Sequence, residues 1–250
     1  MPFFCAPHWG VQCSAERCQA AAERVPPALR QLGARPRPLL LHLHIEKTGG
    51  SAVECAVNRS EALAGGLVLL LGHVREEQLA ACRVACTAPL GVAPQVVLVV
   101  REPYSWWRSS FLYGLLGTRV ARPARTKTPH FADFVEQRFE EHRRARGGLQ
   151  FHGSQSGLLR RSCGEPCLFD HLLHTENLAA EWAALLRRLE LPPVQLSEFN
   201  PTPHSFQNGS ALPPTVFSRA VAEAVHAMER RLFADFNYSH RTDVPFELAR

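Results

Sequence analysis

The sequence predicts an α/β fold, a parallel sheet held between helices in three layers, and three observations carry that expectation. "QVVLVV", residues 95 to 100, is rich in β-branched side chains and bounded by proline and arginine, the mark of a strand buried on both faces. "LLLHLHI", 39 to 45, is a second short apolar run, and it ends in a turn that carries two glycines. Between and after these runs lie longer stretches of helical composition. Strands alternating with helices need crossover connections, and crossovers give a parallel sheet.

Taken in order, residues 1–37 read as a preface: a helical stretch near Ala15 to Glu23, then "VPPALRQLGARPRP", whose prolines and arginines make a linker. The folded domain is expected over 38–250. After the run at 39 to 45, "SAVECAVNRSEALA" has helical composition, which puts the glycine turn between a strand and a helix. "LVLLL", 67 to 71, is the next strand, followed by "GHV" and the helix of "REEQLAACRVAC". Past "QVVLVV", Pro103 starts a helix through "YSWWRSSFLYGLL", because proline at the first helical position gives up only an N–H that has no partner there anyway. "FADFVEQRFEEHRRAR", 131 to 146, is an amphipathic helix, "LFDHLLH" a strand and "NLAAEWAALLRRLE" a helix. The last long helix is expected from Pro214 to Phe236.

Composition bounds the function. With 250 residues, 46% of them hydrophobic and 20% charged, the chain can bury a full core and is not a disordered polymer. The net charge of +5 suits an anionic ligand and falls short of the dense basic stripe of a nucleic-acid binder, so no nucleic acid is expected as partner. The eight cysteines show no CxxC pairing, and no metal is expected. Cys163 and Cys167 in "SCGEPC" are spaced to close a small disulfide loop, while buried free thiols are the plain expectation for most of the others. The N-terminus lacks the charged start and apolar core of a signal peptide, and no apolar run reaches the ~18 residues of a membrane span, so the chain reads as soluble. Against that, three of the five asparagines (Asn58, Asn208 and Asn237) stand in NxS sequons, which fits a lumenal protein.

The chemistry concentrates in "HIEKTGGS", 44 to 51. A helix that begins just after a buried strand presents unpaired N–H groups and the positive end of its dipole, and glycines let the backbone close around a tetrahedral anion. Lys47, Thr48, Gly49, Gly50 and Ser51 add a point charge, hydroxyls and bare backbone at that spot. A Walker loop has its lysine directly after the second glycine of GxxxxGK[ST]; here Lys47 precedes both glycines, which argues against an ordinary nucleotide triphosphatase.

"LHIEKTGGSAVE" resembles the "HIPKTGGTS" turn of the Golgi-type carbohydrate sulfotransferases, the heparan sulfate 2-O/6-O-sulfotransferase-like family. "VVLVVREPYSWWRSSFLYG" resembles the family's "RDPxxRxxSxY" segment, "LLLGHV" its "GH" segment, and "HTENLAAEWAALLRRLELPP…FNPTPH" its "TExL…L…LGL…N.S" region, in the family's order from about Pro38 to Tyr238. The resemblance implies a P-loop NTPase-like sulfotransferase fold and transfer of the sulfuryl group of 3′-phosphoadenosine-5′-phosphosulfate (PAPS) to a hydroxyl of a glycan in the Golgi lumen or at its membrane. It also implies roles: the turn from Lys47 to Ser51 for the 5′-phosphosulfate, Arg101 and Ser109 for the 3′-phosphate, Lys47 for the leaving phosphate and His73 as catalytic base. The residue types suit that chemistry. Sulfuryl transfer needs in-line positioning, compensation of charge on the leaving oxygen and a base active near neutral pH, which lysine, backbone N–H groups and histidine supply without a metal.

Some positions depart from the family. Glu46 stands where proline is usual, Glu102 replaces aspartate, Trp106 stands where arginine is common, with Arg108 nearby, and Ser51 replaces threonine. A carboxylate at position 46 repels a phosphosulfate unless it faces away or pairs with a basic neighbour, so a non-catalytic nucleotide-binding protein on the same fold is one alternative. A P-loop nucleotide-kinase-like transferase is the other, opposed by the lysine order and the lack of a magnesium-holding aspartate near a strand end. His42 and His44 alternate along the strand and share a face, Trp106, Trp107, Phe111 and Tyr113 are either an acceptor or adenine surface or core, and the basic run Arg119, Arg122, Arg125, Lys127 is either a glycan contact or a solvated loop.

Overall fold

The computed structural model describes residues 39–60, 68–71, 74–90, 93–116, 130–145, 153–196 and 213–247. Among these residues the chain divides into two compact units. One takes the residues up to Val100 and those from Leu159 to 196; the other takes Arg101 to Leu158 and the residues from 213 onward. The expected extension at residues 1–37 lies outside the described residues.

The first unit is an α/β unit built on a parallel sheet. Strands β1 (Leu40–Leu43), β2 (Val68–Leu71), β3 (Gln95–Val100) and β4 (His171–His174) lie in the order β2-β1-β3-β4. Leu40 pairs with Val68 on one side and with Gln95 on the other, and Val97 pairs with His171. β1 is buried along its whole length and β3 from Val96 onward, which is why both read as unbroken apolar runs and not as alternating ones. Helices α1 (Gly50–Arg59) and α2 (Glu76–Leu90) follow β1 and β2.

Val53 and Val57, one turn apart on α1, pack with Leu40, Val97 and Val99 of the sheet. Leu178, Trp182, Leu185 and Leu186, at helical spacing on the helix that follows β4, complete that cluster. Each such side chain contributes about 1.5–3 kcal/mol on burial, so the cluster holds strand ends and helix starts in fixed register. Two strands are shorter than expected. β1 stops at Leu43 because the Ile45 carbonyl turns to accept the Thr48 hydroxyl, and β4 begins at His171, after Asp170 has taken the Val96 N–H with its side chain and given its own N–H to the Val96 carbonyl.

The second unit is built around aromatic rings. α3 (Pro103–Leu116) and α4 (Phe131–Arg144) meet the matching predictions closely, and α5 (Gln155–Cys163), which had no counterpart in the sequence reading, runs from this unit into the first. α6 (Leu178–Arg188) belongs to the first unit. The single helix expected over 214–236 is instead β5 (Val216–Phe217), α7 (Arg219–Met228) and α8 (Arg230–Asp235). Two causes divide it. β5 pairs antiparallel with β6 (Phe246–Glu247), stacking Phe217 on Phe246 at 4.8 Å, and Ser218 then caps α7 through the Val221 N–H. At Glu229 the backbone leaves helical geometry, at φ −108° and ψ 19°, and the side chain is fully buried.

Trp106, Trp107 and Phe111 pack here with Tyr104, Phe131, Phe134, Phe217 and Phe246, so of the two readings of these aromatic residues the core one holds, while Tyr113 is exposed. Arg138 and Arg143 pair with Glu141 and Glu140 on α4. No helix among the described residues is long and apolar enough to cross a membrane.

The cysteines correct one expectation. Cys163 and Cys167 are bonded to each other, as their spacing predicts, but Cys55, Cys82 and Cys86, expected as free thiols, are also disulfide-bonded. No described cysteine is free. Burial made them look inert, yet a buried sulfur is as easily half of a cystine.

Candidate functional site

β1 and β3 are neighbours at the centre of the sheet, and the chain leaves β1 toward β2 on one side before returning to β3 on the other. In an open parallel sheet the crevice outside the carboxyl ends of two such strands is where ligands sit. The turn from Glu46 to Gly49 leaves β1 at that point and opens directly into α1.

The turn is tightly specified. Lys47 has φ 65° and Gly49 φ 85°, so two residues in the left-handed region flank Thr48. For a lysine that conformation costs on the order of 1 kcal/mol, and such strain persists only where the surroundings impose it. Thr48 is fully buried and its hydroxyl donates to the Ile45 carbonyl at 2.9 Å, so that side chain closes the turn. The Thr48 carbonyl in turn accepts from Thr175 Oγ1 at 2.7 Å, and the same hydroxyl lies 2.9 Å from the Val100 carbonyl, its one proton serving both. Thr175 thereby fastens the turn to the end of β3.

The two glycines are there for different reasons. A side chain on Gly49 would lie 2.8 Å from Leu178 Cδ2, in a conformation that side chains avoid. One on Gly50 would lie 3.0 Å from the His44 ring, which rests on the start of α1. His44 Nδ1 is 2.5 Å from Glu54 Oε1, one turn into that helix, so a carboxylate fixes the imidazole against the glycine. Gly49 caps α1 without a side-chain hydrogen bond, and the first turn holds no acidic residue. Lys47, Ser51 and Glu46 are half-buried around this N-terminus. Backbone N–H groups, a dipole end and a lysine are groups that can hold an anion.

Next to it on β1, His42 is fully buried, and neither of its ring nitrogens has a hydrogen-bond partner among the described residues. Burial first, then the neighbouring His44, lowers its pKa to about 4. The imidazole is therefore neutral near pH 7 and acts as packing.

Arg101 and Ser109 both fall in the second unit, Arg101 just before α3 and Ser109 on it, with Ser109 buried. Glu102 accepts from the N–H groups of Tyr104 and Ser105 at 3.1 and 2.7 Å and so caps α3, a task that aspartate or glutamate can perform. Trp106 is in the aromatic core. The Gln155 side chain brackets Arg101, accepting from its N–H at 2.8 Å and donating to its carbonyl at 2.9 Å. Gln155 and Ser156, at the start of α5, give their N–H groups to Glu229 at 2.9 and 2.8 Å, and Trp107 Nε1 gives a third at 2.9 Å. Burial pushes the Glu229 carboxyl above the usual carboxylate range, while these donors pull it back.

The turn residues from Lys47 to Ser51 are thus brought together in the first unit, and Arg101 and Ser109 lie on one element junction of the second. His73, the expected base, lies outside the described residues, as do Asn208 and the basic run from Arg119 to Lys127. Sequence reasoning missed Glu54, Thr175, Gln155 and Glu229. Glu54 stood at helical spacing behind the turn and was findable; Gln155 lies 54 residues from Arg101 and Thr175 127 from Thr48, with no local pattern to mark either. No protein-family model, curated protein or solved structure matches the chain.

Proposed function

We propose that the protein is a PAPS-dependent sulfotransferase acting on a hydroxyl, most simply of a carbohydrate, on a P-loop NTPase-like fold. The observation that carries the reading is the turn after β1: strained at Lys47, glycine-capped, free of acidic residues in its first helical turn and set where the strand order reverses. The resemblance of "LHIEKTGGSAVE" and "VVLVVREPYSWWRSSFLYG" to the sulfotransferase segments supplies the nucleotide.

In this reading the backbone from Thr48 to Ser51 holds the 5′-phosphosulfate, and the resemblance assigns the 3′-phosphate to Arg101 and Ser109. The acceptor oxygen attacks sulfur, the bond from sulfur to the phosphate oxygen breaks, and adenosine 3′,5′-bisphosphate leaves with its new charge met by Lys47. The acceptor proton passes to His73. His44, oriented by Glu54, is the next base to test if His73→Ala retains transfer. The fully bonded set of described cysteines, together with sequon asparagines Asn58 and Asn237 that are both exposed, favours an oxidising compartment such as the Golgi lumen.

Thermal unfolding with adenosine 3′,5′-bisphosphate, ADP, and ATP with magnesium tests the reading. A ligand that binds only the folded state adds about 2.7 kcal/mol at a hundred times its Kd, a rise of several degrees. Stabilisation by the bisphosphate alone is expected, and a response only to ATP with magnesium favours the kinase alternative. Lys47→Ala is expected to lower sulfuryl transfer from labelled PAPS by about 10²-fold or more, the usual cost of removing one charge-stabilising donor. Near-normal transfer in that variant removes Lys47 from the chemistry, and bisphosphate binding with no transfer to any acceptor favours the non-catalytic alternative.

A further inference from the structure

We infer that Gln155, held by Glu229, is a positioning residue that aims Arg101 and Ser109 at the 3′-phosphate of the nucleotide; the inference rests on the function proposed above. The side-chain amide of Gln155 spends both of its polar groups on one residue, taking the N–H and the carbonyl of Arg101 at 2.8 and 2.9 Å. Bonding both main-chain groups of a residue fixes the two peptide planes that flank its Cα, and with them the direction in which its side chain leaves the backbone. Gln155 is itself fully buried, and its own N–H is anchored to Glu229.

The carboxylate is the hub. Glu229 Oε1 accepts from Gln155 N–H and from Trp107 Nε1, and Oε2 accepts from Ser156 N–H. Trp107 stands two residues before Ser109 on α3, so one buried group indexes both the residue that precedes that helix and the helix turn that carries Ser109. A helix N-terminus needs no such long-range partner for its own sake: Glu102 caps α3 from one residue away, whereas Glu229 reaches α5 from 74 residues away. Burying a carboxylate is costly unless it is fully hydrogen-bonded, and here its three N–H donors all lie on the two elements that flank the proposed phosphate contact.

The test measures affinity for adenosine 3′,5′-bisphosphate and for adenosine 5′-phosphate, which lacks only the 3′-phosphate, in the wild-type chain and in two variants. Gln155→Met keeps the volume and removes the amide. The expected result is a fold stable enough to assay, adenosine 5′-phosphate affinity within about twofold of wild type, and bisphosphate affinity lower by tenfold or more. A purely structural role would lower both affinities together or neither, and either outcome overturns the inference. Should Gln155→Met not fold, Glu229→Gln, which keeps the shape and one acceptor, is expected to weaken the bisphosphate alone by a smaller factor; unchanged preference there overturns the inference, as does failure of both variants to fold. If the wild-type chain itself shows no preference for the bisphosphate, the assignment of Arg101 and Ser109 falls and this inference with it. If the wild type prefers it and both variants do so equally, the positioning role alone is wrong.

Discussion

The two central strands of the sheet end in helices that are begun in opposite ways. After β3, Glu102 folds its carboxylate back onto the N–H groups of Tyr104 and Ser105, so the positive end of α3 is filled by the protein's own anion. After β1, the helix starts on a glycine with no side-chain cap and no acidic residue in its first turn. The N-terminus of α5 is filled as well, by Glu229 from far along the chain. α3 and α5 thus begin on a carboxylate of the protein, whereas α1 begins on a glycine and α7 on the Ser218 hydroxyl. Under the function proposed above, the anion at the start of α1 is the ligand's phosphosulfate.

Supplying that anion from within is the sharpest way to break the contrast. Ser51→Asp places a carboxylate in the first turn of α1, where it meets the helix dipole and adds about 0.3–1 kcal/mol. Stability is expected to hold or rise slightly, while the stabilisation by adenosine 3′,5′-bisphosphate disappears. Opposite movement of stability and binding is the signature of an occupied anion site; a bisphosphate shift as large as in the wild type rules α1 out as the slot.

The strand bearing the open turn also bears the buried imidazole, since His42 on β1 is paired in register with Val97 on β3. Its folded pKa of about 4 lies below the 6.5 of an ordinary imidazole. The unfolded chain therefore takes up a proton below about pH 6.5 that the native state refuses. Stability from this group is intact above that pH and is lost progressively as pH falls, by about 3 kcal/mol at pH 4. Denaturant unfolding of wild type and His42→Leu between pH 7.5 and 4.5 isolates the effect, because other buried groups cancel in the difference. Equal slopes would remove His42 as the source.

How far the sequence discloses all this depends on how local each determinant is. The parallel α/β sheet was legible because "LLLHLHI" and "QVVLVV" carry their burial in their composition, and the turn between strand and helix because lysine, glycines and the following helix lie within a few residues. The split of the expected helix at 214–236 was not legible, because what divides it is the pairing of Phe217 with Phe246 and the inward turn of Glu229 toward Trp107, 122 residues away. A separation of 54 residues likewise hid the bracket of Gln155 on Arg101. Helical periodicity reports which face of a segment is apolar, and Glu229 lies on the inward face of its segment, yet nothing in that pattern says what an inward carboxylate will meet.

The smallest effect concerns the closed side of the contrast. Glu102→Ala removes the cap of α3 and is expected to cost about 0.5–2 kcal/mol, as other N-cap losses do. Glu102→Asp should recover most of it, since a shorter carboxylate still reaches the N–H groups of the first turn. Measured by thermal unfolding, recovery by aspartate and not by glutamine would show that the charge at the dipole does the stabilising. Full recovery by glutamine would mean that hydrogen bonding suffices at α3, leaving Lys47 and the glycine geometry alone to mark α1 for the proposed anionic ligand.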